Sequence, residues 1–336
     1  MAVAKYAIEA VDACPVCRSK ERRPLHAGLT DVTMGAFPGD FSFVECGRCR
    51  SAYLDPRPTP ESLGHAYAGY PTHVRPQTQA GLATSVLGRL RQSVTGAYRD
   101  VRFRGRAGVA SRILAAPLYA FPGRRREVDN VVRFLPSTPG RLLDYGCGGG
   151  AFLDLARTYG WEVEGVDFDE EVLRVCRADG LQVSRADEFD TAQNAGRFDA
   201  VTLAHVLEHV PDPSALLASL HTMLKPGGHL YIELPNPDAV GHRIYRSAWR
   251  GLEVPRHFSL PTIPTLTGLL ARIGFDDVKL HRRHVVFADM ARRSEEHEPA
   301  TLRSLTEHAS RIAAKIRARF TSGATEFTTI TCIKAC

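Results

Sequence analysis

The chain has no long apolar run. Its 336 residues are 44% hydrophobic, yet no stretch reaches the roughly 18 consecutive apolar residues of a membrane-spanning helix. The first residues also lack the layout of a secretory leader, because Glu9 interrupts the apolar stretch that a leader would need. These two absences predict a cytoplasmic protein. The length and the hydrophobic content predict a chain that can bury a full core and still carry an accessory module.

Cysteines are few, and only four of the eight show a regular spacing. Cys14, Cys17, Cys46 and Cys49 form two C-x2-C pairs, each suited to a tight turn that aims two thiolates at one ion. Phe41–Glu45 alternates like a strand, so a small hairpin is expected between the pairs. The spacing predicts a structural Zn²⁺ site, with a redox role for either pair as the alternative.

The stretch 141–153 (RLLDYGCGGGAFL) is the most informative part of the chain. It predicts a short buried strand that carries Asp144 near its end, then a glycine-rich turn, and then a helix that begins at about Gly150. Glycines allow a ligand to approach the backbone closely, and a helix N-terminus adds partial positive charge. A dinucleotide would fit the glycine spacing, but Asp144 would repel a pyrophosphate and suits an ammonium group instead.

The pattern Asp144-x-Gly146-x-Gly148-x-Gly150 closely resembles the signature of class I S-adenosylmethionine-dependent methyltransferases. The resemblance implies an α/β fold with a Rossmann-like, seven-stranded sheet. It also implies that Asp144 holds the methionine end of the cofactor and that an acid at the tip of strand two binds the ribose hydroxyls. The implied cofactor site comprises Asp144, Gly146, Cys147, Gly148, Gly150, Asp167, Phe168, Asp187 and His205, with Asp187 near the adenine amino group.

The cysteine module runs into a Tyr-Leu-x-Pro-Arg-Pro connector at residues 53–58. This combination looks like the methyltransferases that have an N-terminal zinc-binding domain, which act on nucleotide-linked deoxysugars or are encoded with polysaccharide or natural-product pathways. The expected organisation is a zinc-ribbon-like module with its connector at 1–70, a basic helical linker or cap at 71–127, and the cofactor-binding domain at 128–336. A helical insertion is expected at about 285–322.

The linker at 72–126 contains 11 Arg, no Lys and one Asp, which leaves the remainder of the chain net acidic. An amphipathic helix is predicted from the spacing of Leu82, Val86, Leu87, Leu90, Val94, Tyr98 and Val101. A second apolar stretch, 109–121, is expected to break at Pro117 before Arg124, Arg125 and Arg126. One interpretation is a cap with a solvated Arg face; the other is contact with a phosphate-bearing acceptor or with the inner membrane surface.

The loop after strand four contains His205, Glu208 and His209, which match the H-x-x-E-H pattern of some metalloproteases. Pro211 and Pro213 stop the long helix that such a metal site needs. The resemblance instead places this loop beside the cofactor's sulfonium.

The base that deprotonates the acceptor is predicted to be His257, with His209 as second candidate and Glu208 orienting a neighbour. Alternatively, each His packs or caps its loop. Related sugar methyltransferases carry Tyr-x-Glu-His where this chain has Val254, Arg256 and His257. The departure weakens the case for C-methylation and favours O-methylation.

Three hypotheses for the function follow. The leading one is methyl transfer to a small molecule or saccharide. An RNA methyltransferase would use the zinc module and the Arg-rich segment as a clamp, but that segment lacks the interleaved aromatics that stack bases, and no DNA partner is indicated. The third is a cofactor-binding module without catalysis, which the complete glycine loop and both His candidates argue against. The oligomeric state stays open.

Overall fold

The computed structural model describes residues 6–69, 86–103, 107–283, 286–296 and 324–336. Strands and helices alternate through the middle of the chain, as expected for an α/β fold. The strands are β1 (Ile8–Glu9), β2 (Arg22–Leu29), β3 (Phe41–Cys46), β4 (Ala52–Leu54), β5 (Arg57–Pro58), β6 (Arg141–Tyr145), β7 (Glu162–Asp167), β8 (Gln182–Arg185), β9 (Phe198–Ala204), β10 (Leu224–Pro235), β11 (Ser259–Leu260), β12 (Phe275–His281) and β13 (Phe327–Lys334).

The helices cover the segments between these strands. They are α1 (Pro60–Ala66), α2 (Val86–Phe103), α3 (Val109–Ala120), α4 (Pro122–Val131), α5 (Ala151–Thr158), α6 (Glu170–Ala178), α7 (Pro213–Met223), α8 (Val240–Tyr245), α9 (Ile263–Ile273) and α10 (Phe287–Glu296). In the described part of the chain, no helix combines the length and the apolar character needed to cross a bilayer.

A seven-stranded sheet forms the centre of the fold, in the order β12-β13-β10-β9-β6-β7-β8. The pairs β6–β7, β6–β9 and β7–β8 are parallel. The register sets Asp144 beside Thr202 on β9 and beside Gly165 on β7. This mixed α/β architecture, with a mostly parallel central sheet, confirms the predicted fold class in its coarser form.

The chain divides into two compact units, each made of separate segments. The first unit combines residues 1–70, 204–221 and 232–330, and the second combines 71–203, 222–231 and 331–336. The boundaries at 70 and 127 that were expected from the sequence remain predictions.

The first unit contains a small four-stranded antiparallel sheet, β11-β4-β3-β2, and the pair β1–β5. The hairpin predicted between the two cysteine pairs is β2–β3. Its apolar residues share one core with residues from later in the chain, including Phe41, Phe43, Trp249 and Phe258, all of which are buried. That shared core explains why 1–70 and the segments after 232 belong to one unit.

The second unit places its core against the first strands of the central sheet. Leu142 on β6, Leu153 and Ala156 on α5, and Val172 on α6 are all buried in it. Local sequence explains the helix ends here. Asp169 caps α6 by accepting a hydrogen bond from the backbone N–H of Glu171 at 3.0 Å, and two acids follow in the first turn, where the helix dipole favours them.

The basic segment is helical, but two details differ from expectation. Pro117 lies inside α3, so the predicted break there is wrong; the proline removes one N–H donor, but the helix continues to Ala120. Leu90, expected on the inner face of α2, is 54% exposed, whereas Tyr98 is buried. Leu82 lies outside the described residues. So does most of the predicted insertion at 285–322, of which the structure describes 286–296, where α10 lies.

Candidate active site

The glycine loop connects β6 to α5 in the second unit. Gly146, Gly148 and Gly150 all adopt positive φ (79°, 48° and 74°), a conformation that side chains with a Cβ rarely take. Gly150 is the N-cap of α5, as the sequence predicted. A Cβ placed on Gly148 would meet no atom within 4 Å, so open space lies beside the backbone there. The loop therefore offers a cradle that fits a bound cofactor.

Asp144 lies at the base of this cradle and is fully buried. Its Oδ1 accepts a hydrogen bond from Thr202 Oγ1 at 2.8 Å and pairs with the guanidinium of Arg133. Its Oδ2 is buried and, within the described residues, has no hydrogen-bond partner. Burial raises the pKa of Asp144, against the attraction of Arg133 and Thr202. An unpartnered buried oxygen is what an incoming ammonium group could satisfy.

Arg133 was not found from the sequence. It follows α4, has a positive φ of 49°, donates to Thr202 Oγ1 at 2.9 Å, and stacks its guanidinium 3.7 Å from the ring centroid of Phe152. It lies 11 residues before Asp144 and outside the glycine pattern. No signal in the sequence separates it from the many other arginines of this region.

Asp167 ends β7, as predicted. Its Oδ2 accepts from the backbone N–H of Gly148 at 2.9 Å, and its Oδ1 accepts from Asp169 N at 3.2 Å. Burial raises the pKa of this carboxyl, partly offset by these backbone donors. Phe168 beside it is 51% exposed. The structure thus brings the second acid into contact with the glycine loop.

Cys147 and Asp187, two other predicted cofactor residues, do not present free side chains to the glycine loop. The backbone N–H of Cys147 donates to Val166 O at 3.0 Å, while its sulfur packs beneath Gly165, where a Cβ would stand only 2.7 Å away. Cys147 therefore shapes the loop from the core side. Asp187 is exposed and forms a bidentate pair with Arg185 at 2.8 and 2.9 Å; its predicted role at adenine stays a prediction.

In the first unit, His205 follows β9 directly in the chain and has a positive φ of 58°. Its ring lies between two acids, with Nδ1 3.3 Å from Glu208 Oε1 and Nε2 3.5 Å from Glu233 Oε1. Desolvation opposes the charged ring, but the hydrogen bonds and charges of both acids outweigh it and raise the pKa of His205 to about 10. The side chain is 42% exposed, so water moderates this effect; the two flanking acids favour the protonated ring, which its sequence position did not reveal.

Glu208, His209 and His257 converge in the same unit. Their ligand atoms all lie within 4.8 Å of one another, and the two rings are 4.7 Å apart at 72°. A 3₁₀ turn, Leu207–His209, carries the first two, so the long helix of a metalloprotease is absent from this described loop, as expected. Glu208 is fully buried, and its Oε2 has no hydrogen-bond partner among the described residues.

Hydrogen bonds orient both imidazoles of this cluster. His257 Nδ1 lies 2.7 Å from the carbonyl of Gly251, and His209 Nδ1 lies 3.0 Å from the carbonyl of Arg256 and 2.9 Å from the hydroxyl of Tyr67. Among the described residues, the only partner of His257 Nδ1 is a carbonyl, so this nitrogen donates and Nε2 of His257 holds the lone pair. Burial and the neighbouring His209 lower the pKa of His257 to about 4. The cluster can accept a proton or hold a divalent cation.

Arg256 stabilises the fold around the His257 loop. It is fully buried and pairs with Asp31 through two bonds of 2.6 and 3.1 Å, while also donating to Ala66 O at 2.8 Å. Asp31 in turn accepts from three backbone N–H groups of its own loop. This network clamps the loop that carries His257.

The four predicted cysteine ligands come together in the first unit. Cys14 Sγ lies 3.7 Å from Cys49 Sγ, Cys17 Sγ lies 3.5 Å from Cys46 Sγ, and all four are free thiols. A tetrahedron with Zn–S bonds of about 2.3 Å has S···S edges of about 3.8 Å. The cysteine geometry fits a single tetrahedral ion.

Comparison with known proteins identifies the domain around the glycine loop. Residues 121–280 match the family model described as a methyltransferase domain. The match covers 160 of the chain's 336 residues, just under half. The matched range runs from α4 into β12 and includes the glycine loop, Asp167 and the His257 loop.

Curated relatives match part of this chain over part of their own length. The ubiquinone biosynthesis O-methyltransferase of Xanthomonas oryzae pv. oryzae (strain PXO99A) is 37% identical over 127 residues, which is 36% of this chain and 52% of the relative. The protein of the same name from Cronobacter sakazakii (strain ATCC BAA-894) is 32% identical over 161 residues, 44% of this chain and 63% of the relative. The chain spans about half the length of the first of these relatives.

A solved structure also aligns with the chain beyond the methyltransferase domain. Haemonchus contortus phosphoethanolamine N-methyltransferase 2 in complex with S-adenosyl-L-methionine is 17% identical, with a TM-score of 0.44, and the alignment covers 94% of this chain and 69% of that one.

Proposed function

We propose that this chain transfers a methyl group from S-adenosylmethionine to a hydroxyl group of a small molecule or saccharide. The observation that carries the proposal is the buried Asp144, whose Oδ2 has no hydrogen-bond partner among the described residues. Asp144 lies beneath a positive-φ glycine loop within the range that matches a methyltransferase domain. The O-methyltransferase name of the curated relatives supports oxygen as the methylated atom.

The donor-binding roles follow from charge and geometry in the second unit. S-adenosylmethionine, when bound, supplies an electrophilic methyl group on sulfur. Asp144 Oδ2 would accept a hydrogen bond from the donor's ammonium, and Asp167 would accept from the ribose hydroxyls. Gly146, Gly148 and Gly150 leave the backbone open to close approach.

Proton removal from the acceptor is assigned to His257, with His209 as the alternative. His257 Nε2 holds a lone pair because Nδ1 donates to Gly251 O, and its lowered pKa keeps the ring neutral at physiological pH. A neutral imidazole can take the hydroxyl proton as the oxygen becomes nucleophilic. Glu208 orients the cluster, and its buried carboxylate can stabilise the imidazolium that results.

The cysteine cluster is proposed to hold one structural Zn²⁺. Four thiolates fill all tetrahedral positions, which leaves no open position for substrate. The ion would tie the turn at Cys14–Cys17 to the end of β3 and would take no part in the reaction.

The decisive experiment measures donor binding by isothermal titration calorimetry with S-adenosylhomocysteine. We expect measurable wild-type binding, and a loss of roughly tenfold or more in Asp144→Ala. Asp154→Ala is the matched control, because Asp154 is an acid on α5 that pairs with Arg157. Equal affinity in Asp144→Ala, or preference for a nicotinamide dinucleotide, would refute the proposal.

Acceptor chemistry is tested separately by S-adenosylhomocysteine release. The purified protein is incubated with S-adenosylmethionine and a panel of hydroxylated acceptors: phenols, catechols and sugar nucleotides. Methylation at oxygen, read by mass spectrometry and NMR, is the expected result. Methylation of carbon or nitrogen alone would contradict it.

A further inference from the structure

Helix α3 is unusually apolar on its exposed side. Of its 12 residues only Ala115 and Leu118 are buried, and both pack in a cluster with Ala97 and Tyr98 of α2. Because one narrow face of α3 is used for packing, the rest of the helix surface meets solvent.

The solvent side of α3 carries one contiguous apolar face. Val109, Ile113, Ala116 and Ala120 recur at intervals of three or four residues and are all exposed. We define the α3 face by its apolar members: Val109, Ile113, Leu114, Ala116, Pro117, Ala120 and Phe121. Val109, Ile113 and Phe121 are 74%, 70% and 63% exposed. Single exposed apolar residues are ordinary on protein surfaces, but a contiguous set on one helix indicates a contact site.

Basic residues accompany this face along the chain. Residues 101–126 contain seven Arg and no Asp, Glu or Lys. Arg124 and Arg126 are exposed on α4 directly after the α3 face, and Arg125 lies with its guanidinium 5.9 Å from the ring centroid of Tyr119 on α3. The basic cluster therefore borders the apolar face.

We propose that the α3 face docks this protein onto an anionic lipid surface. A helix that is apolar on one side and bordered by Arg lies in the plane of a membrane, with its apolar side among the acyl chains and its cations at the headgroups. Phe121 and Tyr119 are aromatics at the boundary between the two zones, where such rings are favoured. A second copy of this chain fits less well, because pairing two such faces would bring two Arg clusters together. The inference does not depend on the proposed methyl transfer.

The test is co-sedimentation of the full-length protein with vesicles of pure phosphatidylglycerol and of pure phosphatidylcholine. We expect binding to phosphatidylglycerol that weakens as salt is raised, and little binding to phosphatidylcholine. The double variant Val109→Glu/Ile113→Glu should bind phosphatidylglycerol at least about tenfold more weakly. Val32→Glu is the matched control, since Val32 is 61% exposed but lies outside the α3 face.

The basic cluster is tested by Arg124→Gln, Arg125→Gln and Arg126→Gln combined. At about fivefold per Arg, the triple variant should lose about 100-fold in affinity for phosphatidylglycerol. The control is Arg174→Gln, Arg177→Gln and Arg292→Gln combined, three arginines of other helices, which should bind like wild type. Unchanged thermal unfolding in each variant separates lost docking from lost folding.

Three results would overturn the proposal. Equal binding to both vesicle types would remove the role of charge. Wild-type vesicle binding by Val109→Glu/Ile113→Glu would remove the role of the α3 face. Absence of vesicle binding together with a dimer, seen by light scattering and dissociated by the same variant, would assign the face to self-association.

Discussion

Asp144 and Asp167 are both buried carboxylates, yet the structure holds them differently. Oδ1 of Asp144 accepts from the Thr202 hydroxyl and pairs with the Arg133 guanidinium, while Oδ2 has no hydrogen-bond partner among the described residues. Asp167 is bound through backbone N–H groups on both oxygens. Asp144 is therefore the acid with unused hydrogen-bonding capacity, and its state depends on Arg133.

Replacing Arg133 by Gln should weaken donor binding. Without the guanidinium, burial of Asp144 is uncompensated and favours its neutral form, which loses its attraction for an ammonium group. The affinity for S-adenosylhomocysteine should fall roughly 30-fold, or about 2 kcal/mol. Binding of 5′-methylthioadenosine, which lacks the amino-acid tail, should not change. Calorimetry with both ligands measures the difference.

The control for this variant is Arg157→Gln, an exposed arginine on the neighbouring helix α5. Equal loss of affinity for both ligands in Arg133→Gln would point to a general loss of structure and would contradict the specific role.

Replacing His257 by Ala should remove turnover and leave donor binding intact. A general base contributes a factor of about 100 to 10,000, so kcat should fall within that range while the affinity for S-adenosylhomocysteine stays within about twofold. His257→Asn is a second variant that keeps a donor for the carbonyl of Gly251. If turnover survives in His257→Ala but is lost in His209→Ala, the base is His209 and the first assignment is wrong.

Strand register determines the donor site at the scale of elements. β6 and β9 are parallel neighbours, and that pairing brings Thr202 to Asp144 across 58 residues of sequence. The glycine loop follows β6 where parallel strands end, the usual ligand position in open α/β sheets. The loop itself was predictable from the sequence, because its glycines and its helix start are local. Arg133 and Thr202 were not, since only the sheet and the turn after α4 bring them to the loop.

Contact between β2 and α8 should make stability depend on pH. His26 Nε2 and His242 Nε2 are 2.9 Å apart, and His242 Nδ1 donates to Pro237 O at 2.7 Å. His242 Nε2 therefore accepts and His26 Nε2 donates, with both rings neutral. Burial, His242 and Arg246 lower the pKa of His26 to about 4.

The unfolded chain takes up a proton on His26 near pH 6.5, whereas the folded chain does so only near pH 4. Its contribution to stability is thus fully present above pH 6.5 and is lost as pH falls to 4. In His26→Gln the free energy of unfolding should fall by about 2 kcal/mol less between pH 6.5 and pH 4 than in the wild type, allowing for the ring's remaining contact with water. Urea unfolding at several pH values measures it; His65→Gln is the control, and an unchanged decline in His26→Gln would contradict the account.

At the scale of the whole molecule, the glycine loop with its two acids and the cysteine cluster belong to different compact units. Asp144, the glycine loop and Asp167 lie in the second unit, while Cys14–Cys49 shares the first unit with Glu208, His209 and His257. The first unit is built from three separate stretches of chain, joined by the core around Trp249 and by the buried Arg256–Asp31 pair. Losing the proposed zinc should therefore affect the two units differently.

Cys46→Ser should remove bound zinc and leave donor affinity unchanged. Four-thiolate sites contribute directly to folding of their module, so the midpoint of thermal unfolding should fall by roughly 5 °C or more. The affinity for S-adenosylhomocysteine should stay within about twofold, because Asp144, the glycine loop and Asp167 belong to the other unit. Elemental analysis, calorimetry and thermal unfolding measure the three quantities. Cys336→Ser, at an exposed thiol, is the control.

Full zinc content in Cys46→Ser would contradict the proposed ligand set. A large loss of donor affinity in that variant would contradict independence of the two units.

The sequence alone determined the features that depend on neighbours along the chain: the two C-x2-C turns, the glycine loop, the acid at the end of β7, the cap of α6 and the end of α9 at Gly274. Short-range geometry is encoded by the residues that adopt it. Only the tertiary structure decided which side chains form ion pairs and hydrogen bonds with one another. Arg133 pairs with Asp144, His205 lies between Glu208 and Glu233, and Arg256 is buried against Asp31. These pairings join residues up to 225 positions apart, and burial sets their pKa values and strengths, which local sequence does not contain.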